Sequence, residues 1–469
     1  MSDQVRVRFA PSPTGSLHLG GVRTALYNYL LARHHQGSFV IRVEDTDLSR
    51  NIDDAASRQL NDLKWLGLTW DEGPDIGGDY EPYQQSKRLD LYQSYVATLL
   101  EQGKAFYCFL SDSELKDLHS HENRQLKSPH RDLTKEEVDQ RLKAGAPYVI
   151  RFRNDAADKV YTFKDLVHGE TRLPANMVGD FVLVRSNGHP VYNFCCAIDD
   201  HLMKITHVLR GEEHLSNTLR QLMVYESLDW KTPSFGHLSM ILGPNKKKLS
   251  KRDDSAALED FVKSGFLPQA LLNYVALLGW SSADATEYLP VEQLIASFGL
   301  DRVHKSPAMF DREKLRWINH QHLVRMSAEH MHAALVNQVD AKYGKVDAKW
   351  MDLFWTSLSQ QFYTLVEVAE TIDLFSQGMK MPVLSLEDSE KNVVESFKQG
   401  IDQVDAIYID PEIIAGILSK ISEEQGVKGR KLFAPIRQAL LGVSSGMEIK
   451  VLGSLLTKEE ILNRISQIL

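Results

Sequence analysis

Cysteine is scarce, long apolar runs are missing, and positive charge is not in excess. Three cysteines stand among 469 residues, two of them adjacent at Cys195 and Cys196, so no disulfide framework of the kind that staples small secreted folds can form. No hydrophobic stretch approaches the ~20 residues that a membrane-spanning helix needs. The opening Met1-Ser-Asp-Gln4 lacks the charged-then-apolar layout of a signal peptide. A cytoplasmic protein with no membrane association is the expectation. The net charge of -9 argues against indiscriminate binding of nucleic acid, although a local basic track on an acidic body can hold a large RNA. Internal repeats and low-complexity tracts are absent as well.

What is present is length and ordinary composition: 43% hydrophobic residues over 469 positions supply several cores, or roughly three to four domains. Near the N-terminus Val5, Val7 and Phe9 alternate with Arg6 and Arg8 as in a strand. A turn rich in Pro, Ser and Gly follows, and then a helix with apolar positions Val22, Leu26, Tyr29 and Leu30, closed by Gly37. Strand, glycine-bearing loop and helix form a nucleotide-binding unit, because ligands collect outside the carboxyl ends of parallel strands and a helix start offers unpaired N–H groups to an anion. His18, Gly20 and Gly21 fall at that start. On spacing alone His18 also reads as the cap of a turn.

Lys246, Lys247, Lys248, Lys251 and Arg252 crowd a second segment, between Gly243-Pro-Asn245 and Asp253-Asp254. Such a run is ordinarily a solvated face. Glycine and proline before it, with Ser250 inside it, make it a loop able to carry ammonium groups onto a triphosphate. Attack of a carboxylate on the α-phosphorus builds negative charge, which cations stabilise. Lys251 is the first candidate for that role.

Between these segments, βα alternation runs to about Trp70 and a turn-rich stretch at Asp71–Gly78 marks a boundary. A helix near Ser86 to Gln102 and a strand at Ala105–Leu110 follow, then two capping boxes, Ser111 with Glu114 and Thr134 with Glu137. Tyr148–Phe152 reads as a strand, and Phe181–Arg185 with Val191–Phe194 as a hairpin about Asn187-Gly188. The sheet is expected to resume with strands at Cys195–Ile198 and Ile205–Leu209, before a helix from about Glu213. Beyond Pro268 the period is helical throughout.

Pro11-Ser-Pro-Thr-Gly-Ser-Leu-His18-Leu-Gly20-Gly21 and Lys248-Leu-Ser-Lys251-Arg252 resemble the HIGH and KMSKS motifs of class I aminoacyl-tRNA synthetases. Val43-Glu-Asp-Thr-Asp47, Tyr192-Asn193, Asp199-Asp200, Arg210-Gly-Glu-Glu213, Ser306–Trp317 and Lys431–Arg437 extend the resemblance over essentially the whole chain, to bacterial glutamyl-tRNA synthetases. Gly21 in place of a second histidine and Arg252 in place of a final serine are usual in that branch. The resemblance implies an α/β Rossmann-type catalytic domain with an inserted α+β domain, followed by an all-α C-terminal anticodon-binding half. Its implied divisions are 1–80 and 191–240 for the catalytic halves, 81–190 for the acceptor-end insertion, 241–320 for the stem-contact region and 321–469 for the anticodon half.

The implied reaction joins glutamate to tRNA(Glu) through a glutamyl-adenylate, with ATP as substrate and Mg2+ accompanying it, in a monomer. His18, Lys248 and Lys251 would be catalytic; His18, Gly20, Gly21, Glu213, Leu242 and Lys251 would meet ATP; Arg8, Ala10, Ser12, Glu44, Tyr192, Cys196 and Arg210 would form the glutamate pocket. Arg8 has its own argument, since a guanidinium at the end of the first strand can grip a carboxylate with two hydrogen bonds and reject an amide. Glu44 reads by composition as a metal ligand, and by resemblance as the partner of the substrate amino group. Cys196 reads equally as a small buried hydrophobe.

Two departures are informative. Some family members hold a structural zinc through cysteine pairs early in the insertion, whereas here Cys108 is followed by Leu110 and the next cysteine is Cys195. No structural zinc is expected, although His119, His121 and His130 lie near Cys108. Members that reject tRNA(Gln) tend to place an Arg before the Phe-x-Thr-Leu that ends at Leu365; Gln361 stands there, on a helix read as running from Leu353 to Leu365. The expectation is relaxed selectivity that extends charging to tRNA(Gln), the other reading being a solvent-facing residue. A non-catalytic tRNA-binding or regulatory paralogue is the competing function, and the presence of Arg8, His18 and Lys251 argues against it.

Overall fold

The computed structural model describes residues 4–47, 51–52, 54–111, 113–116, 127–156, 158–247, 249, 257–375, 386–444 and 446–469. The chain divides into two compact units, one of Met1–Phe261 with Pro268–Ile318, the other of Val262–Leu267 with Asn319–Leu469. No helix among the described residues is long and apolar enough to cross a membrane.

The first unit begins as expected, with strand β1 (Arg6–Phe9), helix α1 (Leu19–His34) and strand β2 (Ser38–Ile41), the strands pairing in parallel with Arg6 opposite Ser38 and Phe9 opposite Ile41. Both faces of this sheet are covered, so Arg8 is buried along with Val7 and Phe9. α1 is apolar on most of its circumference, as a helix inside a core must be. Gly37 follows α1 for a reason other than handedness: the left-handed residue is Gln36, at φ 52°. A Cβ on Gly37 would lie 2.1 Å from the carbonyl oxygen of Val5, which is backbone at the start of β1.

The insertion carries strands β3 (Ala105–Cys108), β4 (Val149–Phe152), β5 (Val160–Asp165), β6 (Gly169–Pro174) and β7 (Val182–Val184). β3, β4 and β7 form one antiparallel sheet in that order, while β5 and β6 form a hairpin. Both capping boxes are present, Ser111 with Glu114 and Thr134 with Glu137. The β5–β6 hairpin was not legible in the sequence, because β5 alternates half-exposed with exposed positions along a two-stranded ribbon and buries only its last residue.

After β7 come helix α2 (Tyr192–Leu202), strand β8 (His207–Gly211), helix α3 (Leu215–Ser227) and strand β9 (Ser234–Leu238). α2 corrects the strands read at Val191–Phe194 and Cys195–Ile198. The hairpin turn exists, with the Arg185 N–H donating to His189 and the Val191 N–H to Leu183, but helix begins at Tyr192. Phe194 to Asp200 are all buried, and a short apolar run buried on every side has no period that separates helix from strand. β8 and β9 pair in parallel, Arg210 facing His237. The Thr206 N–H donates to the Arg6 carbonyl at 2.9 Å, which joins the β8–β9 pair to β1 across the insertion.

The second unit is helical, from Ala328–Gln338 to Lys458–Ser466. Its helices carry conventional boundaries: Asp410 caps the helix opened by Pro411, and Gly426 and Gly442 end helices at positive φ. Arg464 is fully buried, its Nε held by Glu460 at 2.8 Å and its Nη1 donating to the carbonyls of Leu374 and Leu440. One buried cation thereby ties three segments of the bundle.

Gly37→Ala is expected to destabilise the first unit by ~2 kcal/mol or more, because the contact it creates is with backbone that cannot swing away. Thermal unfolding followed by circular dichroism checks this. A melting temperature indistinguishable from the parent's would show that the β1–α1–β2 junction has slack that the structure does not display.

Candidate active site

A cleft of about 570 Å3 opens outside the carboxyl ends of β1 and β8, walled by the loop from Arg8 to Gly21, by Glu44 after β2, and by Tyr192, Arg210, Gly211, Glu213, His214 and Ser239–Ile241. His18 is the N-cap of α1, in extended conformation, and its Nδ1 accepts the Gly21 N–H at 3.0 Å. An accepting Nδ1 leaves the ring proton on Nε2, the nitrogen then able to donate to a ligand. The first turn of α1 has no acidic residue, so the positive end of its dipole is not neutralised from within the helix. Gly20 makes room for the imidazole, since a Cβ there would sit 3.2 Å from the His18 ring. At Gly21 the nearest atom would be at 3.5 Å, an ordinary contact, so its bareness serves the open side of the loop.

The floor is an ionic network brought together from distant segments. Arg8 Nε donates to Asp200 at 3.0 Å, and Arg42 reaches Asp200 at 2.7 Å and Glu44 at 2.8 Å, all of them buried. The adjacent Asp199 takes Arg88 Nε at 2.8 Å, the Tyr92 hydroxyl at 2.7 Å and Gln85 at 2.8 Å, and touches the first group only through Arg42 Nε at 3.8 Å. Consecutive aspartates can serve two clusters because a helix turns about 100° per residue. Burial works against the Asp200 charge, but Arg8 and Arg42 outweigh it and hold the carboxyl below its ordinary range. Burial raises Glu44, with Arg42 and Arg8 opposing. The guanidiniums of Arg8 and Arg42 thus face Asp200 and Glu44, with Asp199 at the edge of the group.

Arg210 differs. It is 4% exposed, and its partners are His237 Nε2 at 3.2 Å, Thr218 Oγ1 at 2.7 Å and the Tyr192 hydroxyl at 3.5 Å. None of these carries negative charge. Burial, followed by the proximity of Arg210, lowers His214 beside it to about 4, so that imidazole is neutral near pH 7. A buried guanidinium on a cleft wall without a carboxylate partner is a receptor for an anion.

Residues 4–317 match the family model of the catalytic domain of class I tRNA synthetases (E and Q), and residues 323–469 match an anticodon-binding domain. The chain belongs to the class I tRNA synthetases of the E and Q group. It is 40% identical to the glutamate–tRNA ligases of Bacillus subtilis (strain 168) and Bacillus anthracis, in each case over the whole of both chains. Among solved structures, a glutamate tRNA ligase from Elizabethkingia meningosepticum in complex with its amino acid superimposes with a TM-score of 0.87 at 33% identity, covering 99% of each chain. The glutamate-tRNA synthetase of Elizabethkingia anophelis gives 0.86 at 34% identity with the same coverage.

In this synthetase Arg8, Ala10, Ser12, His18, Gly20, Gly21, Glu44, Tyr192, Arg210 and Glu213 all line the one cleft. Leu242 does not; its neighbour Ile241 does. Cys196 lies under the floor, fully buried, its Sγ 3.8 Å from Arg8 and 3.6 Å from Arg42 and donating to Asp200 at 3.5 Å. Burial and the nearby Asp200 push its thiol up to about 12, which suits a packed, neutral group. Arg8 lines the cleft and also pairs with Asp200, through its Nε. Lys248, Lys251, His119 and His121 lie outside the described residues. Gln361 is exposed and belongs to the second unit, in a 3-10 turn at Ser359–Gln361 and not on a helix continuing to Leu365. Thr364 caps a new helix by accepting the Glu367 N–H, which ends the run read as continuous.

Arg42 and Asp200 went unassigned in the sequence. The signal for Asp200 was a pair of carboxylates closing an apolar run, and for Arg42 a cation within the buried Phe39–Val43 segment at the end of β2. In the insertion, Cys108 Sγ is 3.3 Å from the Ser128 hydroxyl, while His130 accepts the Phe109 N–H on Nδ1 and has its Nε2 3.4 Å from Arg141. Both imidazole nitrogens are engaged by protein groups.

Asp200→Asn should destabilise the synthetase by about 3–5 kcal/mol, because it leaves Arg8 and Arg42 buried with one anion fewer. The sign with pH follows from the depressed carboxyl. The parent's advantage should be full above the unfolded value of about 3.9 and shrink as pH falls through the lower folded value. Melting temperatures of both proteins from pH 7 down to pH 3 measure this, and a gap that widens toward acid would contradict the network's role.

Proposed function

We propose that this chain activates L-glutamate with ATP and transfers it to the terminal ribose of tRNA. The observation that carries this reading is Arg210, a buried cation whose partners among the described residues are neutral, in the same cleft as the start of α1, whose first turn has no acidic residue. One site suits a second carboxylate on the amino acid, the other a nucleotide phosphate. The names of the relatives, glutamate–tRNA ligase in each case, agree with that pairing.

In the first step an oxygen of the substrate α-carboxylate bonds to the α-phosphorus of ATP, the bond to the β-phosphate bridge breaks, and pyrophosphate leaves with the electron pair. Mg2+ arrives with ATP as its phosphate counter-ion. His18 Nε2–H and the N–H groups that begin α1 hydrogen-bond phosphate oxygens as charge accumulates there. Glu44 faces the substrate ammonium, and Arg8, Tyr192 and Arg210 its side-chain carboxylate. Lys248 and Lys251 are assigned to the phosphates on the sequence alone. In the second step a ribose hydroxyl attacks the acyl carbon and AMP departs. The insertion receives the acceptor end, and Gln361 stands near the third anticodon base.

His18→Ala and Lys251→Ala should each slow adenylate formation on the order of 100-fold while tRNA affinity stays near that of the parent, since their contacts strengthen at the transition state. Adenylate formation read by pyrophosphate exchange, with tRNA binding measured separately, checks both. Near-parental exchange in either variant removes that residue from the catalytic set.

Gln361 predicts the tRNA partner. Anticodons for glutamate and glutamine differ at the third base, C or G, and a bidentate contact there accounts for about 1–3 kcal/mol of discrimination. A neutral amide with both a donor and an acceptor tolerates either base. Charging of tRNA(Gln) with glutamate is therefore expected beside charging of tRNA(Glu). Parallel assays of both tRNAs with glutamate and glutamine decide it; no glutamylation of tRNA(Gln) under conditions that saturate tRNA(Glu) would sink the relaxed-selectivity reading.

A further inference from the structure

Behind the cleft wall, Arg210 is held by a chain of buried groups that runs back into the insertion. Arg210 and His237 face each other in register across β8 and β9, and the Arg210 Nε–H donates to His237 Nε2 at 3.2 Å. Thr218 Oγ1 takes Arg210 Nη2 at 2.7 Å and stands 3.0 Å from the same imidazole nitrogen. His237 Nδ1 lies 2.6 Å from Oδ2 of Asp165, the last residue of β5, and both side chains are fully buried. The other oxygen of Asp165 accepts the N–H groups of Val167 at 2.8 Å, His168 at 2.9 Å and His237 at 3.3 Å.

Only one placement of protons satisfies this chain. A guanidinium has no lone pair to offer, so His237 Nε2 must be an acceptor and the ring proton must sit on Nδ1, donated to Asp165. Burial lowers His237, Asp165 opposes and Arg210 reinforces, leaving it neutral. Burial would raise Asp165, but its hydrogen bonds from His237 and the backbone hold it ionised. A carboxylate in the place of His237 would orient Arg210 equally well but would neutralise it. A neutral acceptor orients the guanidinium and leaves its charge for a ligand.

We propose that Asp165 and His237 are positioning residues for amino-acid selection: Asp165 locks the tautomer of His237 so that Arg210 stays aimed and uncompensated, ready for the anionic side chain of the substrate. This rests on the glutamate reading above. Neither residue touches the reacting atoms. A residue of the inserted hairpin thereby bears on amino-acid choice in addition to whatever the insertion does with tRNA.

Asp165→Asn inverts the tautomer. Three backbone N–H groups require an oxygen at Oδ1, so the amide nitrogen takes the place of Oδ2 and donates to His237 Nδ1. The ring proton then moves to Nε2 and confronts the Arg210 N–H, the same wrong-tautomer logic by which an Asp-to-Asn change disables a catalytic triad. The expected result in aminoacylation assays is a KM for glutamate raised about tenfold or more with KM for ATP within about twofold. Purely structural damage would raise both. A second pair of variants works independently of whether Asp165→Asn folds: His237→Gln can present an amide oxygen where Nε2 stands, whereas His237→Met cannot, so the Met variant should have the higher KM for glutamate by several-fold.

A folded Asp165→Asn enzyme with the parental KM for glutamate, a parallel rise in KM for ATP, or Gln and Met variants with equal KM for glutamate would each overturn the proposal. Failure of the parent protein itself to use glutamate would instead overturn the reading on which it rests.

Discussion

The salt-bridged cluster of Arg8, Arg42, Asp200 and Glu44 is the constraint around which the catalytic unit is organised. Its members come from the end of β1, the end of β2 and the last turn of α2, and the insertion separates the first two from the third. Hydrogen bonding between β1 and the β8–β9 pair is limited at the junction to contacts such as Thr206 with Arg6. Buried opposite charges therefore do much of the aligning. The cost of taking four charges out of water is large, and it is offset only when each finds its partner at bonding distance, as at 2.7 to 3.0 Å here. Misregistration of the two halves would strand a charge, so the cluster specifies the assembly more than it stabilises it.

Seen from the cleft, the same cluster explains how three arginines in one site take different parts. Arg8 and Arg42 share the Asp200 carboxylate beneath the cleft. Arg210 is oriented by groups without charge and keeps an unpaired field at the wall. The difference lies in what stands behind each guanidinium: a carboxylate for the first two, an imidazole for the third. Rejection of an uncharged amide is easiest where the protein has left a buried cation unsatisfied, because an uncharged ligand then leaves that cost in place.

Much of this was legible in the sequence. The β1–α1 unit could be read because its strand alternates, its loop carries glycines and its helix is long, apolar and free of proline. The all-helical second unit could be read for the same reason, and Ser111 and Thr134 gave away their capping boxes. α2 could not be read, since seven consecutive buried residues in its middle leave no exposed face there. Nor could the continuation past Leu358, where Thr364 captures a backbone N–H and starts a new helix. Such competition is local, but its outcome depends on what the flanking segments pack against.

Residue identity and spacing by themselves determined the family, the position of His18 at a helix start and most of the cleft's lining, because those depend on short-range chemistry written in contiguous residues. Only the tertiary structure decided which of two cations has a carboxylate partner among the described residues. Arg8 and Arg210 look alike in sequence, each at the end of a parallel strand facing a cleft. Their difference arises from Asp200 lying 192 positions from Arg8 and Asp165 reaching Arg210 through His237. Charge compensation is a property of three-dimensional neighbours, and no reading along one strand can supply it.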